Sequence, residues 1–373
     1  MFHKGLWFQN YRQSRYILWS FWLIACYSAI LFLNHADNVE ASIQLTHMRG
    51  EVYQYNFYID VGLIAMLQLL LCLGLAAFTV GFSRSNNSLD YSYALPVKRS
   101  DIYLSKWMLG LLHIVGGTTL TLVFHLYIVN TTVLNNYIPD STLWNYYIHQ
   151  LLIQIGVFSF SLWLGLIGGN FFSQIVFSIT FLILPYVLFW LIQELLSLHL
   201  YALGIMHLDG LFLFNFTTDS LFANISFPLK LFNISQMFML HTDQLRGLDQ
   251  EYLDQIYLTY YGSLSYLIPL LVTGVSIWGM IRLSKTSKNE NNGKLLLHNR
   301  MHPYLVLGMT ICAFLFGGSS LEEMLGNHNY GSEEAPQQLY RTNLFIYYIS
   351  GVCTTVIVYL LTKKLLRNRL TWK

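Results

Sequence analysis

Eight long apolar runs, each closed by a polar interval, organise this chain. They fall near Tyr16–Leu33, Ile59–Phe82, Met108–Asn130, Leu151–Asn170, Ile175–Leu198, Ser263–Leu283, Tyr304–Ser320 and Leu344–Leu361. A helix needs about 20 apolar residues to cross a bilayer core of about 30 Å. The first, seventh and eighth runs are the shortest, but each is long enough to cross. The pattern predicts an all-α polytopic membrane protein with about eight transmembrane helices. Ahead of the first run, Trp7, Tyr11 and Leu18 recur at helical spacing among Lys4, Arg12 and Arg15. That spacing predicts an amphipathic helix over residues 1–15, lying at the inner interface.

Charge gives the pattern an orientation. With the N-terminus inside, 4 of the 21 Lys and Arg residues fall outside: Arg49, Lys230, Arg246 and Arg341. All the others lie in inner segments, the bias expected of a cytoplasmic face. It places both termini in the cytoplasm. The acidic residues sort the other way, with Asp90, Asp101 and Glu290 alone inside. The outer face should therefore carry a negative field that favours cations. Composition agrees with a membrane chain: 54% of residues are hydrophobic, 16% aromatic and only 11% charged, against about 25% charged in soluble domains. Cys26, Cys72, Cys312 and Cys353 all lie inside apolar runs, so neither a disulfide framework nor a cysteine metal site is indicated. Leu23-Ile24-Ala25-Cys26 matches a lipoprotein cleavage box, but cleavage there would cut the first span in half.

The intervals divide the chain. Residues 16–285 form a six-span core, 286–303 a basic cytoplasmic linker with Asn-rich Asn289–Gly293, and 304–373 a two-span appendix. A short turn near Phe171–Gln174 makes the fourth and fifth spans a tight hairpin, with Gly165, Gly168 and Gly169 allowing close approach. The outer segment 198–261 is rich in Phe and Leu, yet has no stretch long enough to span. It predicts a cap of short helices lying in, or dipping into, the outer interface. Asp243, Asp249, Glu251 and Asp254 edge it, and Asn215, Asn224 and Asn233 begin glycosylation sequons.

The loop over residues 83–107 is the most informative interval. Ser, Asn and Asp residues mark a turn from Ser83 to Asp90, and Leu95-Pro96 follows in extended form. Ser100 has the chemistry of an N-cap, and Asp101 suits a first helical turn. Lys98, Arg99 and Lys106 place the segment inside. The expected product is a short cytosolic helix presenting Leu95, Pro96, Val97, Ile102 and Tyr103 for docking. Ala94-Leu95-Pro96-Val97-Lys98-Arg99-Ser100-Asp101-Ile102-Tyr103 resembles the cytoplasmic loop of type-2, export-type ABC transporter permeases of bacteria. The resemblance covers the topology of roughly Met1 to Lys285; the last two spans exceed the usual six. It implies an ATPase-coupling role for Leu95, Pro96, Val97, Lys98, Arg99, Ser100, Asp101 and Tyr103. It also implies two cytosolic ABC ATPase subunits that bind ATP and Mg, a second permease subunit, identical or paralogous, and a place in the plasma membrane. Outer re-entrant helices before the last core span are a further feature of that family.

No nucleotide-binding or catalytic motif is expected in this chain. The one Gly-Lys pair, Gly293-Lys294, is followed by Leu295 and lacks the upstream glycine of a P-loop. Glu322-Glu323 lacks the arginine of intramembrane CAAX-type proteases, having Asn327 there. His298 and His302 have helical spacing, but Asn299 and Pro303 do not fit a zinc site. No nucleic acid is implied as a partner. Gln68, His125, Gln154 and Glu194 lie within spans two to five. Polar groups are costly in lipid, so they should face the bundle interior, where they line a translocation path or bond neighbouring helices. The expected function is the permease subunit of an ATP-driven exporter of an amphipathic substrate. The alternatives are a non-transporting membrane sensor or immunity partner, or a polytopic transferase, which would need a catalytic cluster that the sequence lacks.

Overall fold

The computed structural model describes residues 4–57, 59, 61–85, 93, 96–205, 216–239, 250–286, 296–297, 302–326 and 337–367. These residues are helical apart from turns and loops, and eight of the helices are long and apolar enough to cross a membrane. The chain is a multi-pass helical membrane protein. Its spanning helices are α1 (Lys4–Met48), α2 (Val61–Ala76), α3 (Arg99–Thr131), α4 (Asp140–Leu164) and α5 (Phe171–Ala202). After short cap helices that include α6 (Phe216–Ile225) and α7 (Gln250–Tyr261) come spans α8 (Ser263–Thr286), α9 (His302–Leu325) and α10 (Gln337–Arg367). Large apolar side chains such as Leu23, Ile30, Trp190 and Leu360 are exposed along the spans, as a lipid-facing surface requires.

Helix α4 is the hub. Its most apolar stretch is 67% buried, against 17% for α10. It packs against α2, α3, α5 and α8, while α1 closes the bundle over α2 and α3. The α9–α10 hairpin contacts the core through α5. Its two helices approach closely, because Gly317 leaves space that the Thr354 side chain fills and Gly318 lies against the Tyr347 ring. Polar and aromatic contacts tie it to α5. Ser319 Oγ donates to Glu194 Oε2 at 2.7 Å, His199 and Tyr348 are hydrogen-bonded at 2.9 Å, and Tyr201 stacks on Tyr340.

Several boundaries differ from the sequence reading. Residues 4–15 continue into the first span as one helix of 45 residues. At about 1.5 Å per residue α1 is roughly 67 Å long, so both of its ends extend past the hydrocarbon. The Lys4–Arg15 end is held against the bundle. Asn10 donates to Ser105 at 2.9 Å, and Gln13 to Ser83 at 2.6 Å. The turn between α4 and α5 is Gly165–Asn170, so Phe171–Gln174 is already the first turn of α5. Asn170 caps that helix: its side chain accepts from the Ser173 N–H at 2.8 Å, and Ser173 Oγ accepts from the Asn170 N–H.

The segment after α5, expected as an outer cap, packs back into the bundle. Pro185 interrupts the hydrogen-bond ladder of α5. Ser226 fills the break, accepting from the Tyr186 N–H at 3.0 Å and donating to Ile183 O at 3.3 Å. The following 3₁₀ turn, Phe227–Phe232, sets Phe227 against Gly156, in the middle third of α4. Irregular backbone at that depth is tolerated because protein, not lipid, surrounds it. Residues 206–215 and 240–249 of the cap, with Asn215, Asp243 and Asp249, lie outside the described residues, as does Asn289–Gly293 of the linker. Asn224 is buried, so among the described sequons only Asn233 is exposed.

Candidate functional site at the basic end of spans two and three

The ladder of α2 changes register near its basic end. Ala77–Phe82 is a π-helix, continued by a helical turn to Ser85. Such turns are rare and frequent at functional sites. Here the carbonyl of Thr79 turns toward α3 and accepts from Lys106 Nζ, which also donates to Ser83 Oγ at 3.4 Å. Lys106 is only 2% exposed. One turn closer to the helix start, the buried Tyr103 hydroxyl accepts from Arg84 at 3.4 Å and bonds the Tyr93 hydroxyl at 2.5 Å. The Arg99 guanidinium lies over the Tyr93 ring, 4.7 Å from its centre, a cation–π contact. The third side of the site is α5, whose Phe171 N–H donates to Ser85 Oγ at 3.3 Å.

This geometry corrects the expected docking helix in four respects. There is no separate short helix over residues 100–107; those residues are the first turns of span α3. Ser100 is not the N-cap. Lys98 is, without a side-chain cap bond, and the Ser100 hydroxyl donates to Asp101 at 3.3 Å. Asp101 does occupy the first turn, as expected. Ile102 and Tyr103 are each 1% exposed, because helical register turns them with Lys106 toward α2 instead of toward water. Lys106 itself is part of the brace, not of a solvated loop. The surface that remains is a corner in which Pro96, Lys98 and Arg99 are exposed, with Val97 and Ser100 half-buried. Leu95 lies outside the described residues. Maleimide labelling in a cysteine-free background should therefore mark Lys98→Cys readily and Ile102→Cys not at all. Equal labelling at both positions would contradict this packing.

The polar residues proposed for a translocation path separate into three places. Gln68 of α2 accepts from Gln150 and Gln154 of α4, the latter at 2.5 Å, and Thr118 of α3 donates to Gln154 at 3.0 Å. All four side chains are buried. Two turns along α3, His125 bonds Ser28 of α1 at 3.2 Å and Tyr147 of α4 at 2.8 Å, and stacks on Phe32. These residues join four helices, each through partners inside the bundle. Glu194 is elsewhere, on the face of α5 toward the appendix, beside a cavity of about 410 Å³ that Glu322 and Tyr340 also line. Arg84 counted in the sequence reading only among the inner charges, and Gln150 and Tyr147 escaped it. Their signal was spacing: Tyr147, Gln150 and Gln154 recur along one face of α4.

Fold and site together define a helical membrane protein with an exposed basic corner braced onto two spans. Comparison with protein families, curated proteins and solved structures finds no match for this chain.

Proposed function

We propose that the chain is the membrane-spanning permease subunit of an ATP-driven transporter of the type-2, export-type ABC class. Separate cytosolic ATPase subunits bind ATP and Mg, and a second permease subunit sits alongside. The observation that best supports this reading is the brace beneath the corner at Pro96–Arg99. Arg99, Tyr93, Tyr103 and Arg84 connect an exposed basic surface to the π-helical end of α2. Lys106 adds a second tie to the Thr79 carbonyl. A force on the corner would thus reach α2 and α3 together. ATP closing the ATPase dimer would supply that force, and tilting of the two spans would be the response.

Gln68, His125 and Gln154 are consumed by contacts within one subunit. On this reading the substrate path therefore runs at a surface shared with the second permease subunit, and these residues stiffen the walls behind it. The same observation favours the second reading, a membrane sensor or immunity partner that transports nothing.

Affinity purification from native membranes separates the two. The permease reading predicts that a P-loop ATPase co-purifies, and that the double charge reversal Lys98→Glu with Arg99→Glu reduces it at least tenfold while the protein keeps its melting temperature. If the ATPase remains bound after Pro96–Arg99 is replaced by Gly and Ser, the coupling role is wrong. If none is ever recovered with the unmodified chain, the sensor reading takes its place.

A further inference from the structure

The cap encloses a second polar site at the opposite end of the bundle from the basic corner. A cavity of about 470 Å³ lies between α5, α6, the 3₁₀ turn Phe227–Phe232 and α7. Its floor holds Lys230, only 4% exposed. The ammonium donates to Asn224 Oδ1 and, at 2.7 Å, to Thr259 O. Both acceptors are neutral, and burial pushes the ammonium down to about 7. A lysine ammonium has three N–H donors, and among the described residues the third has no acceptor. A buried cation whose bonded acceptors are both neutral is costly, so an anionic oxygen in this cavity would be held strongly. The wall of the same cavity carries Asp219, half-buried and hydrogen-bonded to Tyr186; desolvation raises its carboxyl above the usual range. A ligand ammonium would relieve that. The rim is apolar and open, with Phe232 exposed and Leu229 half-buried.

We propose that this cavity binds the zwitterionic head of an amphipath, an ammonium joined to a phosphate or carboxylate, with the anion on Lys230, the ammonium on Asp219 and the tail across Phe232. Both charges are needed because the floor presents a cation and the wall a carboxyl within a single cavity. The apolar rim fits a chain leaving toward the membrane. The same head chemistry could arrive on a bilayer lipid or on a soluble molecule. The proposal does not rest on coupling to an ATPase, since binding here requires no nucleotide.

The test uses the full chain in detergent and reads its melting temperature against added ligand, which rises saturably when the folded state binds. The probes are soluble O-phosphoethanolamine, inorganic phosphate, ethanolamine, and short-chain phosphatidylethanolamine and phosphatidylglycerol. At least one ammonium-phosphate probe should bind tenfold more tightly than the matching probe with one charge. Binding of the lipid alone identifies a membrane source; binding of the soluble head identifies a free ligand. Asp219→Asn should weaken the zwitterion at least tenfold and leave phosphate and phosphatidylglycerol unchanged. Lys230→Gln should abolish both. Should that variant fail to fold, Asp219→Asn and Phe232→Ala carry the test, the latter weakening the lipid but not the soluble head. Equal binding of zwitterionic and anionic probes, an unchanged Asp219→Asn, or no binding by any probe overturns the proposal.

Discussion

Gly81→Ala is expected to cost about 3 kcal/mol of stability, the upper part of the usual overpacking range. A Cβ at Gly81 would lie 2.7 Å from Gln174 Oε1 and 2.8 Å from Phe171 Cα. The glutamine end could move, but the Phe171 backbone cannot. It begins α5, and Asn170 and Ser173 lock that start through reciprocal side-chain bonds. Gln174 is also committed, donating to Ser161 O at 2.8 Å. The π segment and α5 would therefore have to separate, and the Phe171 bond to Ser85 would be lost with them. Gly74, two turns earlier on α2, has nothing within 4 Å of where an added methyl would sit. Gly74→Ala should be neutral or slightly stabilising, since alanine is the better helix former. Melting temperatures in detergent decide the matter: a large drop for Gly81→Ala beside none for Gly74→Ala. If the two variants melt together, the close seat of α5 on the π segment is wrong.

How much of this was legible in the sequence follows from what hydropathy measures. It registers long apolar runs, so all eight spans and the two-span appendix were readable. It does not register a helix that continues through polar residues. Helix α1 runs on past Leu33 because His35, Ala36 and Val39 repeat at helical spacing and are buried, His35 against the Tyr55 and Phe57 rings. That periodicity is hidden among Asn34, Asp37, Asn38 and Glu40. The basic corner was legible as charge but not as packing. Neighbouring charges made Ile102 and Tyr103 look solvated, while the helical register of α3 turns them under the surface. The dipping cap was legible from its Phe-rich runs. Lys230 counted there as one more outer charge, because its burial depends on Asn224 and Thr259, contacts that sequence proximity does not disclose. The glutamine pairing joins residues 82 and 86 positions apart, and no local pattern specifies it.

That pairing carries the second large effect. Gln68→Leu should destabilise the protein by roughly 2–4 kcal/mol, because one acceptor serves two buried donors. With Gln68 Oε1 gone, the buried Gln150 and Gln154 amides lose their shared partner. Each unsatisfied buried group costs about 1–3 kcal/mol, although interhelical bonds in membranes average only about 0.6 kcal/mol when measured by cycles. The asymmetry between removing one partner and removing all of them gives the decisive comparison. A triple variant with Leu at 68, 150 and 154 leaves no donor to satisfy, and the Thr118 hydroxyl can return to a carbonyl of its own helix. Its melting temperature should recover most of the loss. Function then separates two roles for the cluster. A clamp between α2, α3 and α4 would leave the triple variant stable and active; a polar lining for substrate would leave it stable and inactive. A triple variant less stable than Gln68→Leu alone would mean that the glutamines do not act as one hydrogen-bonded unit.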